Sequence, residues 1–263
     1  MIFKSSHGNI YYEMHGPENS LVVAFIHGIF ADHKMFVKQT PEFKKQYRVL
    51  LWDMPGFGQS ANRDKEFDFS IAAKCFIELL DELDIDRVVL VGVSLGGWVS
   101  QYIASKYPER ILAVAVEGAS PLHGDQKKTA LGFKAYTLMV KLTPWFLLRY
   151  AFKKMMLNMS FDEDLKEYYE NMIINLDKKK ILQQVAGVGR SIKEGIADPI
   201  PQQVLITHGD KEMPMIRKTC SDWHKNNPMS EYFVIQDSGH GANTFKPEEY
   251  NKILHAFLAK VMP

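Results

Sequence analysis

The sequence predicts an α/β fold: a mostly parallel sheet covered on both faces by helices, joined by right-handed crossovers. Two observations carry this. Short, continuous apolar runs stop at glycine, proline or aspartate, and the segments between them repeat their apolar residues at helical spacing. The first runs are residues 21–26, 48–52 and 87–91. Runs apolar throughout fit strands buried on both faces, whereas a half-exposed strand alternates. Between them, Ile71, Cys75, Phe76, Leu79, Leu80 and Leu83 recur at threes and fours behind an expected cap at Ser70.

Two further strands are expected at 111–116 and 203–207, separated by about 85 residues with no convincing strand, where a usual connection has roughly 2 to 6. That excess marks an insertion, residues 120–195, within a single domain of residues 1–263. Its first helix has Leu131, Ala135, Leu138, Met139 and Leu142 on one face, expected to be the packed one. Thr143 and Pro144 read as a cap and a first helical position. Ser160 and Glu163 have capping-box spacing, ahead of Leu165, Tyr168, Tyr169, Met172, Ile173 and Leu176 at helical intervals. A last helix with Ile181, Val185, Val188 and Ile192 on one face stops at Gly195 and is expected to pack back on the sheet. The tail resumes the alternation: a helix near 215–226, a strand at 231–235, and a helix behind Pro247 carrying Tyr250, Ile253, Leu254, Phe257 and Leu258.

Composition narrows the function classes. Of 263 residues, 46% are hydrophobic and 24% charged, which excludes collagen-like, disordered and disulfide-scaffold chains. With 32 Lys+Arg against 31 Asp+Glu there is no basic excess for nucleic acid. Cys75 and Cys220 are far apart and outside any C-x-x-C spacing, so they read as buried thiols. The first residues lack the apolar core and cleavage site of a signal peptide, and no apolar run reaches the ~18 residues of a membrane span. A cytoplasmic protein without stable membrane insertion is expected; oligomeric state is not legible.

The chemistry-bearing residues sit at strand ends. Gly92-Val93-Ser94-Leu95-Gly96 follows the 87–91 run and opens a helix containing Val99, Tyr102 and Ile103. Gly-x-Ser-x-Gly is a weak signal alone, but a serine on a tight strand-to-helix turn needs small neighbours two residues to either side. A serine hydroxyl needs a base to become a nucleophile. His240, in the loop after the last strand, fits; the other eight of the nine histidines mostly have no strand end behind them. An acid should orient the imidazole, and after the 203–207 run both Asp210 and Glu212 are available. Spacing does not choose between them. The second strand-end glycine, Gly28, leaves backbone groups open, so the N–H groups of Ile29 and Leu95 are the natural oxyanion donors. His27 beside them reads as a loop-ordering residue.

With these residues placed, the chain resembles the α/β-hydrolase fold superfamily over nearly its whole length. The resemblance rests on His27-Gly28, Asp53-Met54-Pro55-Gly56-Phe57-Gly58-Gln59-Ser60, the turn at Ser94, Tyr107-Pro108-Glu109-Arg110-Ile111 and Gly239-His240, in the superfamily's order. It is similar to cap-bearing serine esterases, haloperoxidase-like enzymes and carbon-carbon bond hydrolases. What it implies is an eight-stranded, mostly parallel sheet with a helical cap after strand 6, Ser94 as nucleophile, His240 as base, and Ile29 and Leu95 as oxyanion donors. The acid departs from the pattern: where the family usually has Gly-x-x-Asp, Gly209 is followed at that spacing by Glu212, which is favoured over Asp210. The implied enzyme is a carboxylesterase-like hydrolase acting on a small molecule with an apolar moiety, with two alternatives open: a carbon-carbon bond or thioester hydrolase using the same triad, or a ligand-sensing hydrolase-like protein that engages a protein partner. It requires no metal and no organic cofactor.

The insertion holds Phe133, Tyr136, Met139, Trp145, Phe146, Phe152, Met155, Met156 and Met159. They read as an adaptable apolar roof over the substrate or as packing internal to the insertion. A third reading, contact with a membrane interface, comes from Lys141, Arg149, Lys153 and Lys154 among them, although no long amphipathic stretch supports it.

Overall fold

The computed structural model describes residues 1–60, 67–157 and 163–261. Among them, strands β1 (Ile2–Ser5), β2 (Gly8–His15), β3 (Val22–Ile26), β4 (Arg48–Trp52), β5 (Val88–Val93), β6 (Ile111–Glu117), β7 (Gln203–Gly209) and β8 (Ser230–Ile235) form one sheet in the order β1-β2-β4-β3-β5-β6-β7-β8. β2 runs antiparallel to both β1 and β4, and every later pairing is parallel. Ile26 pairs with Gly92, Val93 with Glu117, Glu117 with Thr207 and Gly209 with Ile235, so the carboxyl ends of β3 and β5 to β8 share one rim.

The helices are α1 (Thr40–Phe43), α2 (Phe69–Glu82), α3 (Leu95–Lys106), α4 (Lys127–Leu142), α5 (Trp145–Leu157), α6 (Glu163–Ile174), α7 (Lys178–Glu194), α8 (Pro214–Asn226), α9 (Ala242–Phe245) and α10 (Pro247–Val261). Against the sheet they make two main cores, one per face. On β5, Val88 and Leu90 join α2, α3 and α8 residues such as Phe76, Val99 and Trp223, while Val89, Val91 and Val93 join Tyr250, Leu254 and Phe257 of α10. This two-sided burial is why the strands lack polar alternation; each buried Val or Leu contributes about 1.5–3 kcal/mol relative to exposure.

Two caps differ from expectation. α2 starts from Asp68, whose carboxylate accepts the Ser70 N–H, because that N–H is one of the first-turn donors a cap must satisfy. Thr143 closes α4 instead of opening α5: both its N–H and its hydroxyl donate to the Met139 carbonyl. Met159 and Ser160, and so the Ser160–Glu163 pairing, lie outside the described residues, as do the side chains of Met155 and Met156.

Helices α4 to α7 lie between β6 and β7. The carboxyl half of α7 enters the main core through Val188 and Ile192, with Ser191 Oγ accepting the Phe69 N–H. The amino half packs Ile181 and Val185 against Val140 and Leu148 in a small separate core. α4 is turned opposite to expectation: Leu131 and Leu142 are 65% and 72% exposed, and Val140 is the buried residue. Two apolar stripes compete on this helix, and the one bearing Phe133 and Tyr136 goes inward, where it has more area to bury. Gly189 of α7 allows the approach, since a Cβ there would lie 3.0 Å from that of Phe133. Among the described residues, no helix is long and apolar enough to cross a membrane.

Candidate active site

Ser94 occupies the turn between β5 and α3 with φ 55° and ψ −116°. For a residue with a side chain this is a strained backbone, costing about 1–3 kcal/mol. It is held by the Ser94 N–H to the Glu117 carbonyl at 2.8 Å and the Gly97 N–H to the Ser94 carbonyl at 2.9 Å. The flanking glycines have a steric reason. A Cβ on Gly96 would lie 1.9 Å from the Ile26 carbonyl oxygen, and one on Gly92 would lie 2.2 Å from that of Gly96.

His240 stands in the loop from β8 to α9, and its Nδ1 donates to Glu212 Oε2 at 2.6 Å. The other Glu212 oxygen accepts the Met213 N–H at 2.8 Å. Burial pushes the Glu212 carboxyl up, but the hydrogen bond and charge of His240, with the Met213 N–H, hold it below the usual range. For the imidazole, burial works downward, and the hydrogen bond to Glu212 with the charges of Glu117 and Glu212 outweighs it, so its pKa is raised above 6.5. Asp210 is engaged elsewhere: its Oδ1 accepts the Ser238 N–H at 3.0 Å, tying the β7 loop to the loop that carries His240.

The β3 loop lies against the serine, a Cβ on Gly28 reaching to 3.7 Å from that of Ser94. Among the described residues, no hydrogen bond engages the N–H of Ile29 or of Leu95. His27 is fully buried, with Nδ1 donating to the Gly28 carbonyl at 2.8 Å and Nε2 accepting the Met54 N–H at 3.0 Å. It orders the loop and does not face the cavity.

Ser94 and His240 open into a cavity of about 280 Å³. Gly28, Ile29 and Met35 line its floor, and Tyr136, Phe152, Tyr169, Met172 and Ile173 come from the insertion. Of the other insertion residues singled out from sequence, Phe133 packs on Trp98, Trp145 packs in the small core, and Met139 and Phe146 are exposed. Asp32, His33 and Asp53 place potential ligand atoms within 4.8 Å of one another. Their oxygens are committed to the fold, Asp53 accepting from the His33 N–H and Nδ1 and from the Gln59 N–H, and Asp32 from the Lys34 N–H.

One residue of the site escapes sequence reasoning. Glu117 ends β6, is fully buried, and accepts the Ala242 N–H on Oε1 at 2.8 Å, while its Oε2 has no partner among the described residues. Burial, countered in part by His240 and the Ala242 N–H, pushes its pKa up to about 7. Its signal in the sequence was an acid terminating an apolar run on the same rim as Ser94.

A family model described as alpha/beta hydrolase fold matches residues 22–247. The chain is 22% identical to 3-oxoadipate enol-lactonase 1 of Acinetobacter baylyi, covering 95% of this chain and 92% of that protein. It is 26% identical over 93% of its length to the dihydrolipoyllysine-residue acetyltransferase component of the acetoin cleaving system of Pseudomonas putida, of which it spans 65%. An esterase from Exiguobacterium antarcticum superposes with a TM-score of 0.82 at 20% identity, covering 98% of this chain and 99% of that one.

Proposed function

The chain belongs to the alpha/beta hydrolase fold family, and from that premise we propose that it is a serine hydrolase cleaving small or medium hydrophobic carboxylic esters through an acyl-enzyme. The observation that carries the reading is the strained Ser94 opening, with His240 and its buried partner Glu212, into one apolar cavity.

In the proposed cycle, neutral His240 takes the Ser94 hydroxyl proton as Oγ attacks the ester carbonyl. The carbonyl oxygen becomes an oxyanion held by the N–H groups of Ile29 and Leu95, each contributing about 3 kcal/mol when aligned. Glu212 fixes the proton on Nδ1 and stabilises the imidazolium. His240 then protonates the departing alkoxide, leaving Ser94 acylated. Water, deprotonated by His240, attacks the acyl carbon, and Ser94 leaves with that proton. Residues 120–195 act as a cap, whose aromatic and thioether side chains fit a substrate with an apolar acyl or alkyl part. Cys75 and Cys220, buried and not joined in a disulfide, support a cytoplasmic setting.

A fluorophosphonate probe should label the native protein and leave Ser94→Ala unlabelled, with ester turnover lowered at least about 10⁴-fold. A native protein that stays unlabelled overturns the nucleophile assignment. In a panel of esters, thioesters and diketones, turnover confined to diketones would replace the ester reading by carbon-carbon bond cleavage.

A further inference from the structure

The face of α4 that spacing marks as apolar is turned to solvent. Leu131, Leu138 and Leu142 recur at seven and four residues, one stripe on the helix, and are 65%, 56% and 72% exposed. Beyond the turn at residues 143–144, α5 exposes two more large apolar side chains, Phe146 at 71% and Tyr150 at 65%. Surface patches of this kind mark sites where something else lies.

Charge identifies the partner's chemistry. From residue 126 to residue 161 the sequence has no Asp or Glu, while Lys127, Lys128, Lys134, Lys141, Arg149, Lys153 and Lys154 supply seven cations, all exposed. Since the whole chain carries +1, the remainder carries a net −6. On α4, at about 100° per residue, Lys134 and Lys141 fall beside the leucine stripe, the arrangement of a helix lying in a lipid interface with its cations toward headgroups. We propose that the outward face of α4 and α5 docks peripherally on an anionic lipid bilayer. A second copy of this chain is disfavoured as the occupant, because a two-fold contact would set seven cations against seven. An acidic protein is less suited than a bilayer, since the exposed surface between the cations is mostly hydrocarbon, leucine side chains on α4 and the Phe146 and Tyr150 rings on α5.

The same helices that would dock supply Tyr136 and Phe152 to the cavity above Ser94. The docking itself rests only on exposed residues, so it stands or falls apart from the hydrolytic reading.

Co-sedimentation of the full chain with phosphatidylglycerol vesicles and with phosphatidylcholine vesicles tests it. The protein should pellet with the former, weakly with the latter, and less as salt is raised. The double variants Leu142→Glu/Phe146→Glu and Lys141→Glu/Lys153→Glu should each bind phosphatidylglycerol about tenfold or more weakly, with thermal midpoints near that of the native protein. No binding to phosphatidylglycerol, binding equal on both lipids and indifferent to salt, or binding undiminished in well-folded variants would each overturn the proposal. So would a dimer in sedimentation velocity that Leu142→Glu/Phe146→Glu abolishes while neither vesicle binds.

Discussion

The His240 ring is gripped at Nδ1 by Glu212 and lies in the field of a second buried acid, Glu117. In the proposed cycle the base must be neutral, and its pKa is raised, so kcat/KM should climb with pH through an inflection above 6.5. Glu212→Gln removes the charge and should lower kcat about 10⁴-fold, shifting the residual inflection to lower pH. Asp210→Asn keeps the Oδ1 acceptor for Ser238 and should leave kcat within about tenfold of native. A pH–rate series on both variants checks this, and the reverse ranking would reassign the acid. Ser94 and His240 were legible because each follows a strand end whose apolar run is plain in the sequence. The choice between Asp210 and Glu212 was favoured only by family resemblance, since the turn after β7 decides which carboxylate faces His240. Glu117 was hidden for a related reason: what distinguishes it is burial, a property of the elements packed around it.

At the scale of elements, continuous apolar runs identified the five central strands closely, because burial on both faces leaves no other pattern. The inward side of α4 is not legible in the sequence, because the helix carries two apolar stripes and only its packing against α7 selects one. Where β6 ends, the strand, the Ser94 turn (the elbow) and the His240 loop meet: the backbone of Glu117 accepts from Ser94, its side chain accepts from Ala242, and Gly118 follows at φ 62°. A Cβ on Gly118 would lie 3.0 Å from the His240 ring and 3.3 Å from Glu212. Gly118→Ala should therefore lower kcat by about tenfold or more, and the positive φ adds about 1–2 kcal/mol of destabilisation. Turnover compared with the urea midpoint separates the two effects. A native kcat in a folded variant would show that the ring tolerates the intrusion.

For the whole molecule, Glu117 couples stability to pH. Its folded pKa of about 7 stands above the ordinary 4.5, so between these values the folded state binds more protons than the unfolded one. The sign is a loss: stability falls as pH rises across that window and the loss is complete above it, with a ceiling of about 3 kcal/mol. Glu117→Gln keeps an acceptor for Ala242 without the charge, so its stability relative to native should increase from about pH 5 to about pH 7.5. Urea unfolding at the two values measures it, and a constant difference would show that Glu117 is not the titrating group.

The positive φ of Ser94 has a consequence for how this fold can be improved. A domain with roughly 5–15 kcal/mol of net stability gives up about 1–3 of it at one turn. Glycine there would relax the backbone and remove the hydroxyl together, so selection for a hardier protein, left unchecked by turnover, would drift toward an inert scaffold. Thermostable variants of this chain should therefore be sought away from the elbow, where robustness and catalysis do not compete for the same residue.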